Sequence, residues 1–152
     1  MQLKHTSLLV TALFCVTSLT PLMAEDNPHH KSYSPKYKQL EAPADDIPRY
    51  FAMDKNVVNF QGEGHAKFLA IDFKFMSYYP QLVEIEMEHL RPILKNNIDR
   101  ILRRQTYSKL NTPNGPDELR AEILEEARAV LEANYLFPDL LEDVYLERFV
   151  MQ

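Results

Sequence analysis

Cysteine occurs once in the 152 residues, at Cys15, and glycine three times, at Gly62, Gly64 and Gly115. A single cysteine near the start leaves the rest of the chain without disulfides, cysteine-ligated metal or a thiol nucleophile. Three glycines leave little material for loops that cradle a ligand. Gly62-Glu63-Gly64 has neither the third glycine nor the following helix of a dinucleotide loop, and a glutamate there repels phosphate. We read it as the turn of a hairpin. Ser32, Ser34, Ser77 and Ser108 include no GxSxG elbow. His29, His30, His65 and His89 form no HExxH or other ligand-spaced pair. Glu84, Glu86 and Glu88 would share one wet face of a strand or scatter around a helix, and in neither case are their pKa values tuned for acid/base work. The sequence therefore predicts no enzyme, no metal and no cofactor.

Excess positive charge is also lacking. The net charge is −5, and −6 once Lys4 is set aside. That balance argues against broad nucleic-acid binding and for a soluble acidic surface.

What is present begins with an export segment at residues 1–24. Lys4 and His5 form a polar, positive head, residues 8–16 are apolar, Pro21 breaks any helix, and Ala24 is a small residue before Glu25 and Asp26. Cleavage after Ala24 and retention as a membrane anchor are both open, because no charge interrupts residues 5–24 and about 20 residues suffice to cross a bilayer. Either way the rest of the chain is expected beyond a membrane. Removing 24 of 152 residues leaves 128, enough for one domain plus a tail.

Residues 25–48 hold four prolines, three lysines and two histidines, with Leu40 and Ile47 as the only large aliphatics. Such a segment buries too little apolar area to offset its ordering entropy, so it is expected as an extended linker. Its basic half, 29–38, suits a solvated spacer or contact with anionic headgroups.

The domain is expected over 49–152. Residues 56–60 and the alternation of Leu69, Ile71, Phe73 and Phe75 predict two strands joined by the glycine turn. From Pro80 to Arg104 the period turns helical, with Ile93, Leu94, Ile98, Ile101 and Leu102 on one side. Val83–Met87 fits strand or helix, and Pro92 should mark a kink or the first turn of a new segment. Asn111 to Pro116 is turn chemistry, and Pro116 with Asp117 and Glu118 opens a second helix ending near Asn134. Residues 144–151 form a terminal strand expected to be ordered and internal. The fold class is α+β: a small sheet of about three strands with two main helices on one face.

This ordered set resembles the flagellar basal-body-associated protein FliL family. The resemblance is carried by Tyr50-Phe51-Ala52-Met53 leading to Val57-Val58-Asn59-Phe60, by Phe68 to Phe73, by Glu88-His89-Leu90-Arg91-Pro92 through Ile98, by Leu110-Asn111-Thr112-Pro113-Asn114-Gly115-Pro116 through Arg120, and by the closing Phe149 to Gln152. It implies a periplasmic domain similar to the stomatin/prohibitin type at the bacterial inner membrane. It also implies self-association into a ring, contact with stator and basal-body proteins, and support of flagellar rotation, swimming, swarming and chemotaxis. Lys95, Arg103 and Arg104, on one basic helix face, are the candidate contacts with a neighbouring subunit or the stator, against the alternative of a solvated face balanced by Asp99.

Overall fold

The computed structural model describes residues 36–60 and 68–152. The export segment, the first part of the linker and the Gly62-Glu63-Gly64 turn lie outside them. Strand β1 (Arg49–Asn59) pairs antiparallel with β2 (Phe68–Ser77), and β2 pairs antiparallel with β3 (Asp143–Met151). The order β1-β2-β3 puts β2 at the centre. Among the described residues the terminal strand is thus an edge, not the internal strand its apolar sequence suggests, and β2 alone has neighbours on both sides.

β2 keeps a single parity from end to end. Leu69, Ile71, Phe73 and Phe75 all point into the core and are buried, the period-two pattern of a strand with one covered face. Both outer strands switch parity. On β1 the buried residues are Phe51 and Met53, then Asn56 and Val58, because an extra residue enters between Met53 and Asn56. On β3 the register passes from Phe73↔Leu146 to Asp72↔Arg148, so Glu147 is the extra residue. The two bulges lie at the same level of the sheet, where such insertions bend a strand and increase its twist.

The bulge on β1 is held by side chains. Lys55 takes φ 60 and its N–H donates to the Asp72 carboxylate at 2.6 Å. Asn56, 1% exposed, donates from Nδ2 to the Met53 carbonyl at 2.7 Å and the Ile71 carbonyl at 3.2 Å, while its Oδ1 accepts from Lys95 Nζ at 3.3 Å. Every polar atom of a buried amide is then paired, as its burial requires.

A π-helical turn, Leu82–Glu86, runs into α1 (Met87–Arg103), followed by the short α2 (Tyr107–Leu110) and by α3 (Gly115–Ala133). The segment Val83–Met87 is therefore helical. Pro92 sits inside α1, one turn after the π-to-α junction, and opens no separate segment. Leu90, Leu94, Ile98, Ile101 and Leu102 of α1 meet Leu119, Ile123, Ala127, Val130 and Leu131 of α3, and together they cover the inner face of the sheet. At ~25 cal/mol per Å² of apolar surface removed from water, this layer is the main source of stability. Gly115 allows α2 and α3 to meet: a Cβ there would lie 2.4 Å from the Lys109 carbonyl oxygen, where no side chain fits.

Residues 36–48 contain neither helix nor strand, yet they lie on the domain. Leu40 is 6% exposed within the core cluster. The Lys38 N–H donates to the Tyr135 carbonyl at 2.6 Å, and Lys38 Nζ pairs with Glu86 at 2.9 Å. The Tyr37 ring stands edge-on to Phe137 with centroids 5.3 Å apart.

Candidate interaction surface

The helical pitch places the basic side chains. Successive residues on an α-helix turn by about 100°, so Arg100, Arg103 and Arg104 spread across one side at the C-terminal end of α1, while Lys95 and Arg104, nine residues apart, point in opposite directions. The structure brings together two of the three expected contact residues. Arg103 and Arg104, with Arg100, Asn96, Asp99, Gln105 and Thr106, line an open depression of about 790 Å³. Lys95 is elsewhere, bonded to Asn56 and 3.5 Å from Asp99.

Within the depression the arginines differ. Arg100 lies 3.8 Å from Glu126 and Arg104 3.6 Å from Glu122, both across to α3, and Lys109 also faces Glu122 at 3.9 Å. These are exposed pairs, worth little to stability. Arg103 has no partner among the described residues, and it also lines a shallow concavity with Val57, Val58, Asn59 and Phe60 at the end of β1. It is the cation available to something outside the chain. Beneath, Gln105 is buried and donates to Glu122 at 3.1 Å and to the Ile101 carbonyl at 3.3 Å. Arg100 and Thr106 join the surface beyond the residues picked from sequence. The spacing 100, 103, 104 was a readable signal for Arg100; nothing local pointed to Thr106, which belongs to the turn between α1 and α2.

The acidic trio disperses as a helix requires. Glu84 is exposed, Glu86 pairs with Lys38, and Glu88 accepts from Arg91 Nη2 at 2.6 Å and Nε at 2.8 Å. Those bonds hold the Glu88 carboxyl below its usual range and push the Arg91 guanidinium up. Arg91 also lies 4.4 Å over the Phe51 ring and donates to the Ala52 carbonyl at 3.1 Å, tying α1 to β1. Glu86 and Glu88 therefore serve in structural pairs, while Glu84 faces solvent. Among the described residues no group of His, Cys, Asp or Glu is arranged to hold a metal, and no helix is long and apolar enough to cross a membrane.

A sheet covered on one face by two helices, with an open cationic depression on the helical side, defines an α+β domain. The family model described as flagellar basal body-associated protein FliL matches residues 50–152, from the second residue of β1 to the end of the chain, and the chain belongs to that family. It is thereby a member of a basal-body-associated family. No curated protein matches it.

Proposed function

We propose that this protein is a flagellar motor accessory. Its domain stands on the periplasmic side of the inner membrane, self-associates, and contacts the stator and basal body to support rotation, swimming, swarming and chemotaxis. The observation that carries this reading is the coincidence of the family match with the sheet-and-helix unit: apart from Arg49, 50–152 takes in the three strands and three α-helices of the described residues. Such a role needs surfaces, and Arg103 with Arg104 and Arg100 supplies an accessible cationic one at the end of α1. An acidic edge of a stator protein or of a second subunit is its complement.

Deleting the gene should reduce swimming and swarming most under viscous load. Unchanged motility in both assays would remove the proposal's support. The variant combining Arg103→Glu and Arg104→Glu should reproduce the defect at unchanged thermal stability, since neither side chain is buried. Normal motility in that variant would move the contact away from α1.

A further inference from the structure

We propose that the corner formed by Lys36, Tyr37, Tyr135 and Phe137 is a lipid-facing surface, seated at the headgroup level of the bilayer. It rests on the reading above only in placing the domain beside a membrane.

Tyr135 carries the inference. It follows α3 with φ 60, a left-handed conformation that glycine or asparagine adopts far more readily after a helix. Its backbone is well used: Tyr135 N–H donates to the Glu132 carbonyl, Leu136 N–H to the Leu131 carbonyl, and the Tyr135 carbonyl accepts from Lys38. All of that survives with glycine. The ring is 61% exposed, and among the described residues it has no ring or hydrogen-bond partner. A bulky, amphipathic side chain thus occupies a backbone position that disfavours it and contributes nothing visible to the domain.

Its surroundings favour one occupant. Two residues on from Tyr135, Phe137 packs against the core and stands edge-on to Tyr37; the Tyr37 hydroxyl donates to Glu132 at 3.1 Å, and Lys36 lies 5.0 Å over the Tyr37 ring and 3.4 Å from Glu132. Tyrosine, with an apolar body and a polar tip, is enriched at the membrane–water boundary, and lysine places a cation among headgroups there. The chain outside the structure joins the domain at this corner. Its sequence adds Lys31, His29 and His30 and the apolar run at 8–16. Eleven residues lie between Ala24 and Lys36, a span of about 40 Å at full stretch, so a retained anchor holds Lys36 within that distance of the bilayer.

The chain contains no tryptophan, so Tyr135→Trp introduces the only indole. With the full chain reconstituted in phosphatidylcholine–phosphatidylglycerol vesicles, lipids brominated high on the acyl chain are expected to quench that indole several-fold more than the one introduced by Tyr145→Trp on the open sheet face. Equal quenching at both positions, or none at 135, overturns the proposal. Intact mass tests the anchor separately. If residues 1–24 prove to be removed, the released chain should still float with the same vesicles and Tyr135→Gly should lose flotation; absence of flotation, or flotation unaffected by Tyr135→Gly, overturns it.

Discussion

Among the described residues two other than glycine sit in the left-handed region, Lys55 in the bulge of β1 and Tyr135 after α3, and they are held in different ways. Around Lys55 every constraint comes from side chains within the fold: Asp72 takes its N–H, and Asn56 bonds two carbonyls and Lys95. Around Tyr135 the constraint is all backbone, shared between the helix end and the docked segment 36–48. The bulge is over-determined by specific residue types, whereas the helix cap would form with almost any residue. Strain of roughly 1 kcal/mol or more at such positions persists only where the surroundings impose it. At Lys55 the reason is internal to the sheet; at Tyr135 it lies in what the ring does outside the domain.

The strongest way to break this comparison is to remove the lock on the bulge. Asn56→Ala leaves the Met53 and Ile71 carbonyls without their amide donor in a site closed to water, while Lys95, half exposed, keeps Asp99. The expected loss is about 3 kcal/mol, from unsatisfied buried groups at about 1–3 kcal/mol each. A shift in the urea midpoint equivalent to under about 1 kcal/mol would mean that the bulge is held by the ladder alone.

Next in size is Leu40→Ala, which tests the other region. Leu40 is the one residue of the docked segment inside the core cluster, and truncating it should cost about 2 kcal/mol, at the low end for a buried leucine because the segment can settle. Amide exchange separates the two mechanisms. In this variant the Lys38 amide should exchange much faster while the amides of β2 keep their protection. Uniform acceleration across both would show that segment and sheet open together.

The same contrast explains what the sequence made legible. β2 was readable because its four inward residues hold one parity over the whole strand. On β1 the alternation was recognisable only from Asn56 onward, since the bulge at 54–55 reverses the parity of Phe51 and Met53 and hides the first half. On β3 the bulge at Glu147 and the apolar open-face residues Tyr145 and Val150 made an edge look internal. Docking of 36–48 was invisible for another reason: Leu40, a backbone bond, an aromatic pair and the ion pairs of Lys36 and Lys38 fix it, and these depend on tertiary partners far along the chain. At the cationic surface Arg103 and Arg104 followed from helical spacing. Lys95 did not belong with them: nine residues before Arg104 it points the opposite way on the helical pitch, toward Asn56 of β1.

Glycine substitution sharpens the comparison at smaller amplitude. Tyr135→Gly should raise stability by about 1 kcal/mol, since the backbone bonds remain and the left-handed cost falls away. Lys55→Gly should gain less, about 0.5 kcal/mol, because glycine within a strand also weakens that strand. Thermal midpoints check both. A destabilised Tyr135→Gly would show that the ring is held within the domain after all.

The smallest effects separate the regions by pH. Glu88 has its carboxyl lowered from 4.5 by its bonds to Arg91, which in turn holds Phe51 and Ala52 of β1. A depressed carboxyl contributes stability that is fully present above its unfolded value and is lost as pH falls through the folded one. The β1 side should therefore weaken below about pH 4.5, and Glu88→Gln should flatten that part of the stability profile. Lys36, at the docked segment, has its ammonium raised above 10.5 by its bond to Glu132. Its contribution is present below the unfolded value and is lost as pH rises through the folded one, so the segment should loosen at the alkaline end. Arg91 stays charged throughout that range, and β1 has no matching alkaline loss. Both pairs are exposed, so the changes are small and best read as local amide exchange. Faster exchange at Ala52 in acid, with faster exchange at Lys38 in alkali after correction for intrinsic rates, is the expected pattern. An alkaline response shared by Ala52 would erase the distinction between the two regions.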